Sequence, residues 1–182
     1  MRILFATGNS GKLEEARQML PGAEIQRLEV ETVEPQEKSL SEISKYKVRT
    51  AAENAGVDSG FVMADDSGLF VDELNGFHGP LSHPFEEKVG KEGLLELIHD
   101  RSASFRCSIA LLDCEDREVE VFTGSEKGRL VPPRGEKGFG YDPMFLPEGS
   151  DVTWGEDQSQ KEESSHRKEA LQKMAQVLDL RG

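Results

Sequence analysis

The sequence predicts an α/β protein in which a mixed sheet carries helices packed on it. Three observations lead there. Short apolar runs alternate with segments of helical period through the first half of the chain. A stretch rich in alternating, strand-like residues fills much of the second half. The 182 residues suit a single domain spanning 1–182, long enough to bury a core without a disulfide or metal staple.

Each element has its own warrant. Residues 3–6 form an apolar run with turn residues directly after it, which reads as a buried strand. Residues 12–20 place Leu13, Ala16, Arg17 and Leu20 at helical spacing, and Pro21-Gly22 stops that helix. Residues 24–30 alternate loosely, as a second strand would. Over 39–55 the apolar positions Leu40, Ile43, Val48, Ala51, Ala52 and Ala55 predict a helix, with Ser39 and Glu42 as a capping box. Residues 60–64 read as a strand ending at Asp65-Asp66-Ser67-Gly68, with a short strand over 69–71. A turn-rich loop covers 75–80, and a helix interrupted at Gly90 and Gly93 covers 85–98. Residues 104–112 and 118–123 alternate as a hairpin, and 126–131 predict one more strand. A Pro/Gly loop over 132–142, a short strand over 144–146 and a helix over 164–180 complete the chain. Trp154 falls in a polar loop.

Composition excludes several function classes. Acidic residues outnumber basic ones 35 to 22, a formal net charge of −13. Such a body repels phosphate backbones and anionic membrane surfaces, so neither nucleic acid nor membrane is expected as a partner. No apolar run approaches the roughly 18 residues of a membrane span. The first residues lack the apolar core and cleavage site of a signal peptide. Cys107 and Cys114 are too few for a zinc cage or a disulfide framework, and a reduced, cytoplasmic protein is expected. His78, His83 and His99 share no metal-ligand spacing.

Five segments carry possible chemistry. Thr7-Gly8-Asn9-Ser10-Gly11-Lys12 joins a strand to a helix, where unpaired backbone N–H groups and the Lys12 ammonium suit a phosphate. It lacks the Walker spacing, and on this motif alone an ordinary turn capped by Ser10 is the slightly better reading. Asp65 and Asp66 follow an apolar strand; one of them can hold a divalent cation or accept a proton from water, or both can line a solvated turn. Glu34 sits in an acidic loop and matters only if folding brings it near Asp66. In the loop Gly138-Phe139-Gly140-Tyr141-Asp142 the rings can stack on a base while the glycines allow close backbone approach. Ser165-His166-Arg167, preceded by Lys161, offers hydrogen-bond donors to a carbonyl-bearing base, or simply starts a solvated helix.

Taken together, these stretches resemble the noncanonical purine nucleoside triphosphate pyrophosphatases, also called inosine triphosphate pyrophosphatases. Thr7 to Lys12, Asp65-Asp66-Ser67-Gly68-Leu69, Gly138-Phe139-Gly140-Tyr141-Asp142-Pro143 and Ser165-His166-Arg167 occur in that family's order and near its spacing. The resemblance implies a long, mixed, twisted sheet with flanking helices and two lobes around a central cleft. It implies hydrolysis of ITP, dITP or XTP to the monophosphate and pyrophosphate with Mg²⁺, and commonly a homodimer. Thr7, Gly8, Asn9, Ser10, Gly11 and Lys12 would cradle the triphosphate. Asp66 would be the catalytic carboxylate and a metal ligand, with Glu34 the second metal ligand. Ser67, Phe139, Gly140, Tyr141, Asp142, Lys161, His166 and Arg167 would contact the nucleotide.

The chain departs from the family at His78, where proline is usual, near Leu81, where tyrosine is usual, at Pro35, and in a segment before Lys161 that is one residue short. Two other readings keep the same residues. One is a Maf-like pyrophosphatase acting on pyrimidine or modified nucleotides. The other is a nucleotide sensor without turnover.

Overall fold

A computed structural model describes residues 1–32, 35 and 39–178. The chain is a mixed α/β protein, as its sequence predicts. Its strands are β1 (Arg2–Ala6), β2 (Glu24–Leu28), β3 (Phe61–Val71), β4 (His78–Gly79), β5 (Ser102–Asp113), β6 (Val119–Leu130) and β7 (Phe145–Pro147). The helices are α1 (Ser10–Met19), α2 (Leu40–Ala55), α3 (Ser82–Leu97), α4 (Gln158–Glu163) and α5 (His166–Val177). Strand order is β2-β1-β3-β5-β6-β7, with β4 paired to β3. Pairing is parallel for β1 with β2 and with β3, and antiparallel for β3 with β4 and β6 with β7.

Two compact units divide the chain. The first contains residues 1–66, 107–124 and 167–182; the second contains 67–106 and 125–166.

The first unit is layered by the two-residue period of its strands. Ile3 and Phe5 of β1, Met63 of β3 and Cys107, Ile109 and Leu111 of β5 pack with Leu13, Ala16, Leu171 and Met174 of α1 and α5. The alternate residues Ala6, Val62, Ala64, Ala110 and Leu112 pack with Val48, Ala51 and Ala52 of α2. On that same α2 face the buried hydroxyls of Ser44 and Ser108 lie 2.9 Å apart.

The second unit encloses Leu69, Val71, Leu94, Phe105, Leu130, Met144, Phe145 and Trp154. Its chain turns tightly after β3. A Cβ on Gly68 would fall on the Gly79 carbonyl. The Ser82 hydroxyl accepts from Leu69 N at 2.8 Å, lies 3.0 Å from His78 Nδ1 and bonds the Gly79 carbonyl. The His78 ring stacks on Phe85 and Tyr141, at centroid distances of 4.5 and 5.3 Å.

Several expectations are corrected. Asp65 and Asp66 do not end a strand; β3 runs through them from Phe61 to Val71. The strands expected over 118–123 and 126–131 are one strand, β6. Asn9, not Ser10, caps α1, because its carboxamide oxygen reaches Gly11 N and Lys12 N. Ser39 is the N-cap of α2 but makes no side-chain cap bond, so the expected capping box does not close. Helix α3 starts three residues earlier than expected and breaks only at Gly90, where φ is 75°. Trp154 is fully buried rather than left in a polar loop, because Phe105, Phe145 and His166 surround its indole. The expected helix over 164–180 is α5 alone, its final expected residues lying outside the described ones, and the short α4 precedes it.

Burial lowers the His78 pKa to about 4 from an ordinary 6.5. The folded ring therefore binds fewer protons than the unfolded one between those values. Its contribution to stability is complete above pH 6.5 and fades as the pH falls toward 4. Melting temperatures of His78→Phe and the wild type, compared at pH 7 and pH 5, are expected to show a smaller acid-induced fall in the variant. An identical fall in both would exclude this role.

Candidate active site

The first unit gathers an ionic cluster around Asp65 and Asp66. Adjacent residues on a strand point to opposite faces. Asp65 therefore shares the Met63 face, under α1 and α5, and Asp66 shares the Ala64 face, under α2. Both carboxylates are buried, at 2% and 7% exposure.

Asp65 is bound from two helices. Lys12 Nζ donates to its Oδ1 at 3.1 Å, and Arg167 Nε donates to its Oδ2 at 3.1 Å. Arg167 Nη1 also donates to Glu15 Oε2. Burial pushes the Asp65 pKa upward, but Lys12, then Arg167 and Lys47, outweigh it and hold the carboxyl well below the usual carboxylate range. Burial alone would depress the Arg167 pKa; Asp65 and Glu15 raise it above its ordinary value instead. The pair thus stays ionised at any working pH.

On the opposite face, Lys47 of α2 places its ammonium 3.6 Å from Asp66 Oδ1. Sequence reasoning missed Lys47, Glu15 and the holding role of Asp65. A signal for Lys47 was present: it stands four residues from both Ile43 and Ala51, on the apolar stripe of its helix. A lysine on a core stripe needs an anionic partner.

Thr7, Gly8 and Asn9 join β1 to α1, and Ser10, Gly11 and Lys12 form the first turn of α1. Thr7 Oγ1 accepts from Asn9 N at 3.1 Å, and Asn9 Oδ1 accepts from Gly11 N at 2.9 Å and Lys12 N at 3.2 Å. Three amides expected to face a ligand are therefore already bonded. Gly8 is exposed, and a Cβ there would meet open space.

In the second unit, Lys161 and Asp142 form a buried pair, with Nζ donating to Oδ2 at 2.8 Å. The same carboxylate oxygen accepts from Phe139 N at 3.0 Å. Gly138 has φ of 77°, and a Cβ there would strike Asp142 Oδ2, so glycine is required in this turn. The Lys161 ammonium lies 4.2 Å from the Phe139 ring centroid, and Phe139 remains 43% exposed. Tyr141 is buried, with its hydroxyl donating to Ser82 O at 3.1 Å. His166 is buried and stacks on Phe105 and Trp154. Ser67 is half-buried in β3.

The unit boundaries fall between Asp66 and Ser67 and between His166 and Arg167, so consecutive residues of two motifs belong to different units. Glu34 lies outside the described residues, and among those described no group of three or more His, Cys, Asp or Glu side chains forms a metal cluster. Among the described residues, too, no helix is long and apolar enough to cross a membrane.

Fold and site together define a class: an α/β protein with a buried acid pair set among lysines and an arginine, the parts list of phosphoryl chemistry. The model of the Ham1 family matches residues 3–177, and the chain belongs to that family. It is 43% identical to the dITP/XTP pyrophosphatase of Methanopyrus kandleri, over 97% of this chain and 95% of that one. It is 40% identical to the dITP/XTP pyrophosphatase of Thermococcus kodakarensis, over 98% and 97%. Among solved structures, a HAM1 protein from Coxiella burnetii superposes with a TM-score of 0.85 at 32% identity, covering 98% of both chains.

Removing one partner of the Lys161–Asp142 pair leaves a buried charge unmatched. Asp142→Ala is expected to lower unfolding free energy by about 3–5 kcal/mol, measured by urea denaturation. A loss below ~1 kcal/mol, the range of surface pairs, would contradict the burial argument.

Proposed function

We propose that the protein hydrolyses noncanonical purine nucleoside triphosphates, ITP, dITP and XTP, to the monophosphate and pyrophosphate. One observation carries this beyond the family match: the paired acids have different surroundings. Asp65 is committed to Lys12 and Arg167, whereas Asp66 faces Lys47 at a looser 3.6 Å. The acid suited to accept a proton from the attacking water is therefore Asp66, through a carboxylate oxygen.

Lys12 and Lys47 are the polyphosphate-side cations, with Thr7 to Lys12 forming the turn beneath it. Ser67, Phe139, Gly140, Tyr141, Asp142, Lys161, His166 and Arg167 are assigned to the nucleoside end on the strength of the family resemblance. Donors aimed at a 6-oxo group are left unpaired by a 6-amino group, and buried donors penalise that strongly.

The named charges support a divalent cation. Lys12, Lys47 and Arg167 are balanced by Glu15, Asp65 and Asp66. A triphosphate of roughly four negative charges then needs further positive charge from outside the chain. The hard oxygen of Asp66 suits Mg²⁺, and the resemblance adds Glu34. Bound there, the ion would offset charge growing on the phosphate oxygens.

Pyrophosphate release from ITP, XTP, dITP, ATP, UTP and dTTP tests the reading. The first three are expected to lead; preference for UTP or dTTP would favour the Maf-like activity. Asp66→Asn is expected to lose about 10²–10⁴-fold in turnover while ITP still raises its melting temperature. Full activity in that variant overturns the assignment. Thermal protection of the wild type by ITP without any product would establish a sensor instead.

Two buried free cysteines suit a reducing cytoplasm. A homodimer also belongs to this reading, supported by exposed Phe77 and Leu81, four residues apart in the second unit. Size-exclusion chromatography is expected to give twice the chain mass, and Phe77→Glu with Leu81→Glu to halve it. A wild-type monomer would refute the dimer.

A further inference from the structure

Asp65 touches neither reacting atom in this scheme, yet it is held by cations from two helices at once. Its two oxygens receive two cations from two helices: the Lys12 ammonium from α1 and the Arg167 guanidinium from the first turn of α5. Lysine and arginine side chains each carry about 2 kcal/mol of rotamer entropy, so an unanchored cation samples many positions. A shared buried carboxylate removes that freedom before a ligand arrives. The arginine is held on its other side by Glu15, whereas Lys12 pairs with Asp65.

We propose that Asp65 is a positioning residue that sets Lys12 and Arg167 together, so that grip on the polyphosphate and choice of the base are coupled through one carboxylate. The inference rests on the function proposed above, which gives Lys12 to the phosphates and Arg167 to the nucleoside. It differs from a purely structural role, which would lower stability and leave the kinetics of the folded fraction unchanged.

The test is steady-state kinetics with ITP and ATP on the wild type, Asp65→Asn, Lys12→Met and the double variant. Asp65→Asn is expected to raise the KM for ITP about tenfold, the coupling typical of contacting charged groups, with kcat moving less. The ITP-over-ATP ratio of kcat/KM should fall by a similar factor. Lys12→Met should raise KM and largely spare the ratio. In the double variant, KM should fall short of the product of the single effects, since both changes break the Lys12–Asp65 contact.

Folded Asp65→Asn with wild-type KM and ratio overturns the proposal, and so does a KM in the double variant equal to the product of the single effects. If Asp65→Asn shows no cooperative thermal transition, Asp65→Glu carries the test. It keeps the charge but displaces it by one methylene, and should shift KM and the ratio in the same directions; wild-type values for both reject the idea. A wild type that releases no pyrophosphate from ITP removes the proposed function itself, an outcome distinct from normal turnover with an indifferent Asp65.

Discussion

A carboxylate buried in mid-strand survives only where positive charge reaches it, and the first unit is arranged around that requirement at Asp65. An isolated ion there would carry a desolvation cost of several kcal/mol. Lys12 and Arg167 meet it from α1 and α5. Both helices must then lie on the Asp65 face of the sheet, and their apolar sides must pack on Ile3, Phe5, Met63 and Ile109. The ion cluster and the hydrophobic layer therefore fix the same helix placement.

The pleat of β3 then separates two acids that are neighbours in sequence. One step along the strand reverses the face, so Asp66 meets α2 and Lys47 instead of α1 and α5. Identical side chains acquire different chemistry from this alone. Asp65 becomes a fixed counter-ion, and Asp66 stands on the other face, with the Lys47 ammonium at the longer distance of 3.6 Å. Two like charges side by side would otherwise compete for one environment and raise one another's pKa.

The second unit solves a different problem with aromatic surface. Phe105, Trp154 and His166 stack, and the Lys161 ammonium lies over both Phe139 and Trp154 while donating to Asp142. A charged side chain is thus buried by one hydrogen-bonded partner and two π faces. The positive φ of Gly138 and Gly140 lets the loop fold tightly enough for Asp142 to bond both Lys161 and the Phe139 amide.

The amino-acid sequence was enough to disclose the α/β class, most strand and helix positions, and the segments proposed to carry chemistry. It could do so because period two and period 3.6 are local properties, as in residues 3–6 and the stripe through Ile43 and Ala51, and because four short motifs recur in one order. Tertiary structure alone decided the division of labour. Read locally, Asp65-Asp66 resembles a turn, since consecutive acids oppose a strand until distant cations compensate them. Lys12, Lys47 and Arg167 lie far from them along the chain, and Trp154 looks solvated until Phe105, Phe145 and His166 close around it. Charge compensation and aromatic packing act through space between residues remote in sequence, so no local pattern records them.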